Sequence, residues 1–290
     1  MDHLAWVILL CPGLSPAAMV LTANFPKGSR MDESFSAPSI LTRDNGASIA
    51  YHCTPGKNPG VVFMTGFKSD MTGGKALALA DFCRIRGNAF LRFDYQGHGQ
   101  SSGDFNDGTI GEWVSDAIDA LDQLTDGPQV LVGSSMGGWI MLLVARARPQ
   151  RVAGLLGLAS APDFTEDLIL AELSDAQVAE LNATDCVLLP NDYDDAEPYR
   201  INKKLLDEGA NQLLLREPLK LNCPIRLIHG INDADVPWTT SMRIMETVTS
   251  ADVEVTLVKA GEHRLSEDHD LDRLRQTLGA LLDQLENSPS

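Results

Sequence analysis

A short apolar run that ends in Gly-x-Ser-x-Gly and passes at once into a helix-forming segment constrains this chain more than any other feature. The stretch is Gln129-Val130-Leu131-Val132-Gly133-Ser134-Ser135-Met136-Gly137-Gly138-Trp139-Ile140, and the helical pattern continues to Arg148. A serine at the centre of such a junction sits on a strained strand-to-helix turn, with its hydroxyl clear of the backbone. Gly133 and Gly137 lack Cβ atoms, which would collide where strand and helix pack close together. Ser135, and not Ser134, is therefore the candidate nucleophile.

The five-residue pattern occurs a second time, in Gly99-Gln100-Ser101-Ser102-Gly103. No strand runs directly into that copy, and the polar, turn-rich stretch from Asp104 to Gly108 follows instead of a helix. It reads as loop, because the flanking elements confirm the motif and the pattern alone does not.

Around the serine the chain alternates strand and helix. Ser39 to Thr42 and Ser48 to Cys53 flank Asp44-Asn45-Gly46, a hairpin signal. Val61 to Thr65, Ala89 to Phe93, Val152 to Leu158, Ile225 to Ile228 and Val253 to Val258 read as further strands. Helical spacing of apolar residues marks Lys75 to Arg86, closed by Gly87 as a C-cap, then Ile110 to Leu124 and the final Leu271 to Leu285. Alternation of this length predicts an α/β fold, a mainly parallel sheet with helices on both faces.

Residues 162–220 break the rhythm. Helical pieces are expected at Leu168 to Leu173, Ala176 to Leu181 and Lys203 to Leu215, together with an acidic turn from Asp192 to Glu197. The segment holds 14 acidic residues against 5 basic ones. It is expected to be a cap inserted over the carboxyl edge of the sheet, splitting a core of residues 31–161 and 221–290. Residues 1–30 are expected to be an extension, disordered or weakly signal-like, with Met31 opening the folded protein. Leu4 to Leu10 is too short to span a bilayer and has no Lys or Arg before it.

With 290 residues, 44% of them hydrophobic, the chain can bury a large core. Its net charge of -17 argues against nucleic acid or an anionic membrane as partner. The five cysteines, Cys11, Cys53, Cys83, Cys186 and Cys223, show no metal-ligand spacing. They read as buried reduced thiols in a reducing compartment, hence a cytoplasmic protein, or a secreted or periplasmic one if the first residues act as a signal. No stable membrane insertion is expected.

A serine nucleophile needs a base, an orienting acid and an oxyanion hole. His263, in Gly261-Glu262-His263-Arg264 between the last strand and the last helix, is the candidate base. His269, His98, His52 and His3 lie in charged, loop, hairpin and extension settings, and His229 reads as structural, closing the turn after its strand. The loop after that strand offers two carboxylates, Asp233 and Asp235. The oxyanion hole should combine the N–H of Met136, which also opens the helix behind the serine, with that of Phe67 in the loop after Val61 to Thr65.

These residues resemble the α/β-hydrolase family. His229 to Pro237 matches its His-Gly-x-x-Asp-x-x-Val-Pro pattern, and the resemblance selects Asp233 as the acid of a Ser135-His263-Asp233 triad. Asp94 to Ser101 resembles the loop after the family's fourth strand. Gly127 to Trp139, Asn222 to Leu227 and Val236-Pro237-Trp238 with Ser241-Met242 resemble a branch described as palmitoyl-protein thioesterases and acyl-glucuronide esterases. The resemblance implies a serine hydrolase that cleaves carboxylic esters or thioesters through an acyl-enzyme, with a small-molecule acyl substrate. An acyltransferase or C–C bond hydrolase would use the same constellation, and a non-catalytic binding protein on the same fold is the third reading. No glycine-rich phosphate loop or zinc spacing occurs, so no metal, nucleotide or flavin cofactor is expected.

Overall fold

The strand-like runs assemble into one eight-stranded sheet in a computed structural model that describes residues 37–190 and 198–287. The extension 1–30, His3, Cys11, Met31 and the acidic turn from Asp192 to Glu197 lie outside the described residues. In chain order the sheet strands are β1 (Ser39–Thr42), β2 (Ser48–Thr54), β3 (Lys57–Met64), β4 (Asn88–Phe93), β5 (Gln129–Ser134), β6 (Val152–Leu158), β9 (Ile225–Gly230) and β10 (Val253–Val258). Their spatial order is β1-β2-β4-β3-β5-β6-β9-β10. Within this sheet the β1–β2 and β2–β4 pairings are antiparallel. From β4 to β10 the strands are parallel. The carboxyl ends of β3, β5, β9 and β10 therefore open on one edge of the sheet, where such folds hold their ligands.

Helices cover both faces, as the alternation predicts. On one face α1 (Gly74–Arg86) and the final α7 (Asp268–Asn287) bury Leu79, Cys83, Leu274, Leu278 and Leu281 against Val61, Val130 and Leu156. On the other, α2 (Ile110–Leu124) and α3 (Met136–Ala147) bury Trp113, Leu121, Trp139 and Ile140 against Val62, Leu131 and Leu155. Thr109 starts α2 by accepting the Glu112 N–H at 3.2 Å. Gly87 ends α1 at φ 82°, its N–H on the Cys83 carbonyl. Helix α3 buries every residue from Met136 to Ala145, so the serine before it is anchored by an element with no free face.

Between β6 and β9 the chain forms a π-helical turn at Thr165–Leu170, α4 (Asp175–Thr184), β7 (Cys186–Leu189), β8 (Tyr199–Asn202) and α5 (Lys203–Gly209). The β7–β8 ribbon lies between the expected helical pieces and adds strand to a segment expected to be a helical cap. Four-residue strands are too short to display a period of two. Helix α5 passes into a 3-10 turn at Ala210–Gln212 and does not reach Leu215, where the carboxylate of buried Asp163 takes the N–H groups of Leu214 and Leu215 at 2.8 and 2.9 Å. A further helix, α6 (Thr239–Thr247), follows β9 without an obvious periodic signal. The cysteines Cys53, Cys83, Cys186 and Cys223 are free, but only Cys83 is buried, which corrects the expectation of uniformly buried thiols.

Candidate active site

Ser135 caps the N-terminus of α3 at φ 55° and ψ -122°, a conformation L-residues avoid unless the surroundings impose it. The surroundings are the two flanking glycines. A Cβ on Gly133 would stand 2.3 Å from the Gly137 carbonyl oxygen, and one on Gly137 would stand 2.2 Å from that of Met64. Strand β5, helix α3 and the end of β3 thus close on one another only through glycine, and the junction projects Ser135 from the carboxyl edge.

The second Gly-x-Ser-x-Gly serves a different purpose. Ser101 donates its hydroxyl to the Asp94 carbonyl at 2.6 Å and accepts the Ala50 N–H at 2.8 Å. Its oxygen is spent on tying the loop after β4 to β2.

Loops after β9 and β10 bring the other candidates to Ser135. His263 Nε2 lies 3.0 Å from Ser135 Oγ, and His263 Nδ1 lies 2.8 Å from Asp233 Oδ2. Gly230 lets these loops touch, since a Cβ there would meet the Gly261 carbonyl oxygen at 2.3 Å. The Asp233 side chain is fully buried. Burial works to raise its pKa, but hydrogen bonds from His229 and His263, the adjacent His263 charge and the Val236 N–H together hold it well below the usual carboxylate range. Asp235 is exposed, and its backbone N–H donates to Asp233 Oδ1 at 3.0 Å. An imidazole with Nδ1–H on a carboxylate and its Nε2 lone pair at a hydroxyl can take the hydroxyl proton as the oxygen attacks a carbonyl.

Met136 opens α3, so its N–H has no acceptor within the helix. The loop after β3 runs beside it: a Cβ on Gly66, the residue before Phe67, would stand 3.3 Å from Ser135 Cβ. The Phe67 ring packs edge-on against Phe105 at 4.7 Å, Phe164 at 5.9 Å, Trp113 and Tyr199 both at 6.1 Å. Lys68 Nζ lies 5.1 Å from the Tyr199 ring centre and 5.5 Å from that of Phe105. This aromatic wall comes from distant segments and had no signal in the sequence beyond Phe67 itself.

Donor atoms of Asp233, Asp235 and His263 lie within 4.8 Å of one another, a spacing that could hold a cation. Asp233 is already engaged: Oδ1 accepts the N–H groups of Asp235 and Val236, and Oδ2 contacts His263 and His229. The set is better explained by those donors than by a metal.

His269 is exposed on α7, and His52 belongs to β2. His98 is buried among the rings of Tyr95, Phe105 and Trp113, with Nδ1 3.2 Å from the Gln96 carbonyl. Burial pushes its pKa down to about 4, against the opposing pulls of that carbonyl and of Asp70. An unfolded histidine binds its proton near pH 6.5, so the stability His98 contributes is complete above that pH and is lost as pH falls through about 4. Urea unfolding at pH 7 and pH 4.5 should show this as a loss of roughly 2–3 kcal/mol that is missing in His98→Gln. Equal losses in both proteins would contradict the assignment.

Residues 61–277 match the Alpha/beta hydrolase family. The chain belongs to the α/β-hydrolase family. Among its α/β-hydrolase relatives, palmitoyl-protein thioesterase ABHD10, mitochondrial, of Bos taurus is 37% identical over 276 residues, covering 94% of this chain and 89% of the relative. The Homo sapiens protein of that name is 41% identical over 247 residues, covering 85% and 80%. The solved structure of alpha/beta hydrolase domain-containing protein 10 from mouse superposes with a TM-score of 0.81 at 39% identity, covering 86% of this chain and all of that one. The curated α/β-hydrolase relatives of this name are mitochondrial, which overturns the expectation of a cytoplasmic protein. Cysteine spacing does not say which compartment holds a protein. Among the described residues no helix is long and apolar enough to cross a membrane.

Proposed function

We propose that this α/β-hydrolase is a serine hydrolase that cleaves carboxylic esters or thioesters through an acyl-enzyme, with Ser135 as nucleophile, His263 as base and Asp233 as orienting acid. The observation that carries the reading is the unbroken hydrogen-bonded line from Ser135 through His263 to Asp233, at 3.0 and 2.8 Å. His263 takes the Ser135 proton as Oγ attacks the acyl carbonyl. The N–H groups of Met136 and Phe67 hold the oxyanion, helped by the positive end of α3. His263 then gives its proton to the departing alcohol or thiol, and water repeats the sequence on the acyl-Ser135 ester.

Residues 162–220 form the cap over the acyl site in this reading. Phe164 and Tyr199 from that segment meet the Phe67 ring, so its placement bears directly on the shape of the oxyanion loop. The aromatic wall favours a long apolar acyl chain, and relatives named palmitoyl-protein thioesterase accord with that. Purified protein should hydrolyse aryl esters with kcat/KM rising from acetyl towards long acyl chains, and should release thiol from an S-palmitoyl peptide. An acyl glucuronide belongs in the same screen. Turnover confined to the shortest acyl groups would sink the long-chain assignment, and no turnover of any ester or thioester would sink the hydrolase.

A further inference from the structure

Asp233 carries a second imidazole on the very oxygen that His263 uses. His229 lies on β9, fully buried, with Nε2 3.1 Å from Asp233 Oδ2 and 3.0 Å from the Val236 carbonyl oxygen. Both of those atoms accept only, so Nε2 carries the hydrogen and donates. On the other side of the ring Nδ1 lies 2.7 Å from Ser241 Oγ. In the neutral ring Nδ1 is then the acceptor, and the Ser241 hydroxyl donates to it. The carboxylate oxygen thus sits between two imidazoles, each backed by a serine hydroxyl. Ser135 is partly accessible, whereas Ser241 is 1% exposed and cannot meet a substrate.

We propose that His229, fixed as the Nε2–H tautomer by Ser241, is a positioning residue that aims Asp233 Oδ2 at His263 and shares its negative charge, thereby setting the pH at which His263 becomes a competent base. The proposal rests on the Ser135-His263-Asp233 reading above. Two consequences follow from its geometry. Without the His229 donor, Oδ2 spends less time on the His263 N–H, so turnover falls. Where the contact is kept, the charge on that oxygen is less dispersed and holds the His263 imidazolium more firmly, so the acid limb of the remaining activity moves up. Asp235, whose donor atom lies within 4.8 Å of those of Asp233 and His263, also acts on this histidine. Glu262 and Arg264 flank it on its own loop, and Lys75 of α1, near Asp270 of α7, reaches that loop through the Arg264 carbonyl. All of these stay in place in the variants, so their influence cancels in the comparison.

The test compares wild type with His229→Leu, His229→Gln and Ser241→Ala. Fluorophosphonate titration counts folded sites, and kcat and kcat/KM for a neutral aryl ester are followed from pH 5 to 9. His229→Leu is expected to lose roughly ten- to a hundredfold in kcat, the range typical of groups that orient a reacting residue. Its acid limb should rise by about half a unit or more. His229→Gln, which keeps an N–H donor, should recover much of the rate and most of the limb. Ser241→Ala should move the limb in the same direction by less, and it carries the test if His229→Leu does not fold. NMR titration of the labelled histidines reads the His263 shift without any substrate, so the proposal stays testable if the ester chemistry fails. Normal site counts with an unmoved limb and an unmoved His263 titration in all three variants would overturn the proposal and leave His229 a packing residue.

Discussion

Ser135→Ala is expected to remove hydrolysis almost completely, by a factor on the order of a millionfold in kcat, and to abolish labelling by a fluorophosphonate. The size of the loss reflects a constellation that acts as a unit: without the oxygen nucleophile, His263 and Asp233 have nothing to activate. Residual rate should come only from binding and from the Met136 and Phe67 amides. Ser101→Ala is the matched control. Its hydroxyl bridges the Asp94 carbonyl and the Ala50 N–H, so its loss should lower stability while labelling persists. Labelling that survives Ser135→Ala and vanishes in Ser101→Ala would move the nucleophile to the other glycine-flanked serine.

The second large effect separates the two carboxylates. Asp233→Asn should lower kcat by about 10⁴, because an amide N–H cannot accept from His263 Nδ1 and favours the wrong imidazole tautomer. The buried position adds to the penalty, since Oδ1 and Oδ2 between them serve the N–H groups of Asp235 and Val236 and the rings of His229 and His263. Asp235→Asn should cost less than about tenfold, because solvent screens the exposed carboxylate and Asp233 keeps its bond to His263. Paired pH–rate profiles of the two variants decide the matter. A severe loss in Asp235→Asn with near-normal Asp233→Asn would transfer the orienting role.

The legible parts of this molecule are those governed by local sterics or by burial period. Gly133 and Gly137 announced the serine turn because only glycine fits against Gly137 and Met64 backbone there. The apolar runs of the parallel strands and the stripe on α2 announced a covered sheet, and the position of His263 after the last strand brought it to the right edge. Spacing alone leaves Asp233 and Asp235 as candidates for the orienting acid, and it is the family pattern that separates them.

What stayed hidden depends on contacts between distant segments. Nothing near Phe67 in the chain announces Phe105, Trp113, Phe164 and Tyr199 around its ring. The N–H groups of Leu214 and Leu215, expected in a helix, go instead to one buried carboxylate, Asp163, from a different part of the chain. His229 read as a turn closer, although its place four residues before Asp233 at the end of a strand was the available hint. Only the folded loop shows its ring and that of His263 on a single oxygen.

The central claim is that an acyl group passes through Ser135 Oγ. Mixing the protein with an excess of a long-chain aryl ester, quenching with acid in the steady state and mapping the digest by mass spectrometry tests this directly. The acyl mass should sit on the peptide that contains Ser135 and should be absent in Ser135→Ala. Rapid turnover with the acyl mass on a cysteine, on the Ser101 peptide or on no residue at all would contradict the account.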